Sequence, residues 1–198
     1  ALLIDGETLD GTVMAMLPPV VVAAIFARLA EAFVGERLDG TLPFFLAPRG
    51  DEPVVDTRIH LLDDGRIPGG LRTRSFDDRG VVPVPLTLLR EGVPDGFLRT
   101  PEVARATHTT PTGHLVDGAL RAGNLMMRGG TRSMNATFTD HGSWSLKVDA
   151  LDLTDLDLGT GVLETVINGQ VMHSNVQKGS VRNRKATFDL GAMLNAVE

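Results

Sequence analysis

The feature that most constrains this chain is its punctuation. After residue 52 the apolar residues come in short runs, each cut by Gly, Pro, Asn or Asp, in a sequence holding 22 Gly and 11 Pro among 198 residues. Such runs fit short strands joined by turns and leave little room for long helices. Val54–Leu62 reads as a strand closed by Asp63-Asp64-Gly65. Val82, Val84, Leu86 and Leu88 alternate with Pro83, Pro85 and Thr87, so Val82–Leu88 reads as an edge strand, because proline donates no ladder hydrogen bond. Leu125–Met127 and the alternating Trp144, Leu146 and Val148 read as strands, and Asn168-Gly169 as the two-residue turn of a hairpin. A change of leucine phase between Leu153 and Leu156 suggests a bulge near Thr154-Asp155.

The N-terminal quarter differs. Residues 1–4 read as a buried strand turned by Asp5-Gly6. From Val20 to Arg37 the apolar residues Val22, Ile25, Phe26, Leu29 and Phe33 recur at three- and four-residue steps, which predicts one long amphipathic helix. Asp39–Arg49 reads as loop. Short helices are expected at Glu102–Thr107 behind Pro101, from Thr131 or Ser133 to His141, and over Phe188–Val197 with Thr187 or Asp189 as cap. The expected class is α+β: a mostly antiparallel sheet, barrel-like or sandwiched, with one long N-terminal helix and a few short ones. Residues 1–198 are read as a single domain.

Composition excludes several functions. Lys and Arg number 19 against 25 Asp and Glu, a net charge of −6, which disfavours nucleic acid and anionic membranes as partners. The absence of Cys excludes disulfides, thiolate metal sites and a Cys nucleophile. The apolar stretch Val13–Ala27 is interrupted by Pro18 and Pro19 and is shorter than the roughly 20 residues that cross a bilayer. Acidic Asp5, Glu7 and Asp10 precede it where a signal peptide would be basic, so a cytoplasmic location is expected. A chain opening at Ala1 reads as a piece of something longer.

No residue pattern supplies a complete catalytic set. His108 and His114 lie six apart across Pro111, not on one helical face. As loop ligands they could join Asp77 or Asp78 in an unusual metal hydrolase, but turn histidines are the plainer reading. Asp63-Asp64 and Asp77-Asp78 stand close before glycines, as turn aspartates do. Asp149, Asp152, Asp155 and Asp157 miss the calcium-loop pattern, and Gly129-Gly130-Thr131-Arg132-Ser133 misses both phosphate-loop spacings.

The ordered set of turns resembles the C-terminal domain of the TldD/PmbA family, the modulators of DNA gyrase. The resemblance rests on Leu61-Leu62-Asp63-Asp64, Gly69-Gly70-Leu71, Ser75-Phe76-Asp77-Asp78-Arg79-Gly80, Leu89-Arg90-Glu91-Gly92-Val93, Thr112-Gly113-His114, Asn124-Leu125 and Ile167-Asn168-Gly169-Gln170, in order along nearly the whole chain. It implies a heterodimeric metallopeptidase acting on peptides or unfolded proteins, with zinc held by His-Glu-x-x-x-His on the helix after the first strand and by a late Cys. Here Val20–Phe33 contains no His and only Glu31, and Cys is absent. No catalytic or metal-binding residue therefore carries over. The similarity is to the PmbA/TldE-type partner, with zinc expected only in a homologous subunit and the family's N-terminal domain absent. Asp77, Asp78, Gly113, His114 and Asn124 are the residues expected to contact peptide substrate or partner. Arg79 in place of Glu, and Ala122-Gly123-Asn124 in place of Pro-Thr-Asn, are departures from the family. A structural, self-assembling domain is a further alternative.

Overall fold

A computed structural model describes residues 2–4, 7–9, 14–35, 52–128, 144–174 and 176–196. The expected turn at Asp5-Gly6, the loop at Asp39–Arg49 and the helix from residue 131 to 141 with its glycine-rich approach lie outside these residues. The described strands are β1 (Leu2–Ile4), β2 (Glu7–Leu9), β3 (Met14–Met16), β4 (Leu61–Asp63), β5 (Leu86–Arg90), β6 (Val93–Pro94), β7 (Leu115–Val116), β8 (Ala119–Leu120), β9 (Leu125–Met127), β10 (Trp144–Leu151), β11 (Asp155–Leu156), β12 (Val162–His173) and β13 (Val176–Asp189). The helices are α1 (Pro19–Ala30), α2 (Pro101–Ala106) and α3 (Leu190–Asn195). All strand pairs among them are antiparallel except β10 with β3, so the class is α+β as expected.

Helix α1 is shorter than its apolar period predicts. Pro19 opens it at a position where a missing N–H costs nothing, and Val21, Ile25, Phe26, Leu29 and Ala30 form its buried face. A single 3₁₀ turn, Glu31–Phe33, follows. There the backbone leaves the helix to pair with Leu98: Leu98 N–H donates to the Phe33 carbonyl at 2.7 Å, and Gly35 N–H to the Leu98 carbonyl at 2.8 Å. A tertiary backbone pairing outweighs the helical period.

The long sheet carries β12 at its centre, with β13 along one side and β10 then β11 along the other. Asn168-Gly169 is not a turn. Leu163, Thr165, Ile167, Gly169 and Val171 are buried at every second position straight through the dipeptide, so one strand continues. The glycine is needed instead for close approach, because a Cβ there would lie 2.5 Å from the Lys147 carbonyl oxygen. The hairpin closes after His173, where Ser174 takes φ +48°. The register slip in β10 falls at Asp149 rather than near Thr154, where the chain simply breaks between β10 and β11.

A second sheet, ordered β6-β5-β4-β9, and the hairpin β7-β8 frame the loop region between residues 61 and 127. The expected strand over Val54–Leu62 is pared to Leu61–Asp63, and that over Val82–Leu88 starts only at Leu86. Val82–Pro85 is held outside the ladder by a bond from Val84 N–H to the Thr112 carbonyl at 3.2 Å. Its prolines remove the donors a ladder would need.

The main core joins α1, Val54, Val55 and Ile59, β5, Leu163 of β12 and α3. A smaller cluster, Leu146, Val148, Ile167, Val171 and Val181, underlies the long sheet, and half-buried Leu17, Leu151 and Phe188 touch both. Asp189 caps α3 by accepting from Ala192 N–H at 2.9 Å, and the Leu194 carbonyl accepts from Asp56 N–H at 3.1 Å. No helix among the described residues is long and apolar enough to cross a membrane.

Two outcomes test this packing. Gly92 has φ +75° in the β5–β6 turn, and a Cβ there would lie 2.2 Å from the Val55 carbonyl oxygen. Gly92→Ala is therefore expected to destabilise the chain by about 3 kcal/mol in urea unfolding, since backbone strain and a backbone clash add. Asp152 and Asp157 are held below the ordinary carboxylate range, Asp152 by the Thr154 hydroxyl and N–H, Asp157 by the Thr160 hydroxyl and Gly159 N–H. A depressed folded pKa stabilises above the unfolded value, and that contribution disappears as pH falls through the folded one. Amide resonances of residues 152–161 should therefore lose dispersion on acidification below about pH 4, before those of β12.

Candidate functional site

Five of the seven motifs quoted from the sequence converge on one loop cluster between β4 and β9; residues 89–93 form the β5–β6 turn and residues 167–170 lie within β12. Strand alternation puts Asp63 on the same face as buried Leu61, so its carboxylate enters the interior. There Oδ2 lies 3.1 Å from His114 Nε2, and both side chains are fully buried. Gly123 N–H donates to the same oxygen at 2.9 Å. The histidine contact is one of proximity: neither ring nitrogen is aligned on a hydrogen-bond partner, and Asp63 Oδ1 and Arg74 Nε are likewise unpartnered. Gly123 N–H thus partners the buried carboxylate, and the imidazole stands beside it as a polar neighbour in the same buried space.

Around this pair, side chains substitute for missing secondary structure. Asp77 is buried; its Oδ1 accepts from the N–H groups of Arg79 and Val81, both at 2.9 Å, and its Oδ2 from Leu115 N–H at 3.2 Å. Asn124 accepts from Arg72 N–H at 2.9 Å and donates to the Asp64 carbonyl at 2.9 Å and to the Thr73 hydroxyl at 3.0 Å. Gly113 has φ +72° and packs so tightly that a Cβ would lie 2.6 Å from the Val82 carbonyl oxygen; its own carbonyl accepts from Arg74 Nη2 at 3.2 Å. Of the five residues expected to contact a partner or substrate, Gly113, His114, Asp77 and Asn124 thus lie within the cluster and hold it.

Asp78 reaches a cleft. Its Oδ2 accepts from Gly118 N–H at 2.9 Å and fixes the β7–β8 hairpin, whose Asp117-Gly118 turn has φ +52° and +73°. Between this hairpin and α2 lies a cleft of about 830 Å³ with apolar Val34, Val103, Leu115 and Leu120 in its lining. Arg79 and Glu102 flank it as an ion pair at 3.5 Å between exposed side chains. The Glu102 carboxyl is held below its usual range by its own backbone N–H and the Thr100 hydroxyl, with Arg79 and Arg105 adding to this. Sequence reading missed Glu102 and Arg79 as neighbours, because only the fold brings α2 beside the Asp77-Asp78 turn. It missed the role of Asp63 although period-two alternation beside Leu61 was a usable signal.

The alternative hydrolase requires His108, His114 and Asp77 or Asp78 to converge. His108 is exposed just beyond α2 at φ +53°, His114 is buried on Asp63, and among the described residues no three His, Asp or Glu side chains gather as metal ligands. Nor does the donor set of α1 fit the zinc that the resemblance implies, since Pro19–Ala30 carries no His, Asp or Glu. No hydrolytic step follows from these residues.

Removing either member of the buried pair should cost far more than removing a surface ion pair. Asp63→Ala or His114→Ala is expected to destabilise by about 3 kcal/mol or more, and the double variant by clearly less than the sum. Additive effects in urea unfolding would show that the two groups do not act together.

Comparison with known proteins fits this architecture. No curated protein matches the chain. Three solved structures share the fold: a proposed modulator of a DNA gyrase from Thermotoga maritima, at 21% identity and a TM-score of 0.74 over 87% of this chain and 41% of that one; a proposed modulator of DNA gyrase from Bacteroides thetaiotaomicron, at 17% and 0.73 over 91% and 39%; and TldE from Thermococcus kodakarensis, at 24% and 0.75 over 90% and 42%. The chain spans about two fifths of the length of each. Residues 10–198 match the family model described as the PmbA/TldA metallopeptidase C-terminal domain. With that match covering nearly all of it, the chain belongs to the PmbA/TldA metallopeptidase C-terminal domain family.

Proposed function

We propose that this chain is the C-terminal domain of a non-catalytic, PmbA/TldE-type subunit that acts on peptides or unfolded proteins only together with a metal-bearing homologue in the cytoplasm. The observation that carries the reading is the donor set of α1, where the family's zinc motif would stand: Pro19–Ala30 offers apolar side chains and Arg28. Zinc would then reside in the partner subunit. The cleft between α2 and the β7–β8 hairpin is the surface suited to an extended peptide, its apolar lining taking side chains and its charged flank limiting register. Arg79, which departs from the family pattern, sits at that flank and would tune which peptides enter.

The test combines metal analysis, peptidase assay and size measurement. The purified chain alone is expected to hold less than stoichiometric zinc and to leave an unfolded substrate intact. It should co-elute with a homologue carrying His-Glu-x-x-x-His, and cleavage should appear only in the mixture. Stoichiometric zinc and cleavage by the chain alone would overturn the proposal. Within the mixture, Leu120→Glu should raise the KM for an apolar peptide about tenfold, the loss expected on placing a charge in an apolar cleft.

A further inference from the structure

A second polar hollow lies on the long sheet, away from the loop cluster. β10 and β13 flank β12, and both slip register at almost the same level: at Asp149 in β10, and at Arg182-Asn183 in β13, each beside Asn168-Gly169 of β12. Each slip inserts an extra residue and bends its strand locally. At the level of these two bulges the sheet leaves a hollow of about 390 Å³ lined by Asp149, Asn168, Gln170, Gln177, Ser180 and Arg182. Asn168 and Gln170 project from the face opposite Ile167 and Val171, the face turned away from the small core.

The chemistry of this lining is specific. With strands about 4.8 Å apart, β10 and β13 stand about 10 Å apart across β12. A carboxylate thus lies on one side, a guanidinium on the other, and two amides between. Neither charge has an ion-pair partner among the described residues. Asn168 Oδ1 already accepts from Asn183 N–H at 3.0 Å, so the group this side chain has to offer a ligand is its Nδ2 donor. We propose that this hollow binds a zwitterion of dipeptide size, its ammonium on Asp149, its carboxylate on Arg182 and its peptide bond over Asn168 and Gln170. Two extended residues span about 7 Å, nearer to the separation of the two flanking strands than the termini of a single amino acid can reach. The inference stands on the sheet alone and does not depend on the proposed subunit role.

Titration of the isotope-labelled chain with glycylglycine, followed by amide resonances and a melting curve, tests it. Glycylglycine is expected to shift Asp149, Gln170 and Ser180 saturably, with N-acetylglycylglycine, glycylglycinamide and free glycine each at least tenfold weaker. Asp149→Asn should abolish the preference for a free amine and Arg182→Gln that for a free carboxylate, both at unchanged melting temperature. Equal shifts from the four compounds, shifts elsewhere only, or none would overturn the proposal.

Discussion

Burial of the Asp63 carboxylate against the His114 imidazole is the constraint from which the functional region follows. The pair joins the end of β4 to the turn before β7 across fifty residues of chain in which β5, β6 and α2 are the regular elements and the rest is turn and loop. A loop region of this kind has few ladder hydrogen bonds, so its backbone groups need other partners. Carboxylate and amide side chains supply them. Asp63 serves Gly123, Asp77 serves Arg79, Val81 and Leu115, and Asn124 serves Arg72 and Asp64. Polar residues that look like chemistry in a sequence are here the framework that positions a cleft.

That distinction bears on what the domain can do. A carboxylate that is buried and already accepts from three backbone N–H groups, as Asp77 does, is poorly suited to bind a substrate. The proposed recognition surface is formed by what the framework holds in place: the β7–β8 hairpin, the start of α2 and the Arg79–Glu102 pair. A rigid scaffold beneath exposed loops is the common arrangement for binding sites. The chain belongs to a metallopeptidase-related family and its helix α1 carries no ligating side chain, and on these two facts the proposed binding role rests.

Much of this was legible in the sequence, and the failures have definite causes. The helix behind Pro101 and the Asp189 cap of α3 were readable because each depends on local chemistry, a fixed proline φ and a side-chain acceptor for an orphan N–H, whereas the turn at Glu91-Gly92 came only with the family resemblance. Asn168-Gly169 misled because the same dipeptide that favours a tight turn also admits a neighbouring carbonyl inside a strand, and the alternation of Ile167 and Val171 was the better guide. Asp117-Gly118, two residues of the turn type sought elsewhere, went unread between apolar runs only two residues long. The end of α1 and the placing of Asp63 depend on partners more than fifty residues away in the chain, Leu98 and His114, and no local pattern encodes those.

The central claim is that buried side chains hold the loops as one cooperative unit. Native-state hydrogen exchange measures this most directly, at the amides that donate to the Asp63 and Asp77 carboxylates: Gly123, Arg79, Val81 and Leu115. The account predicts that these four are strongly protected and share a single opening free energy close to that of Leu88 and Leu89 in the core. Independent exchange at rates near those of an unfolded chain would contradict it.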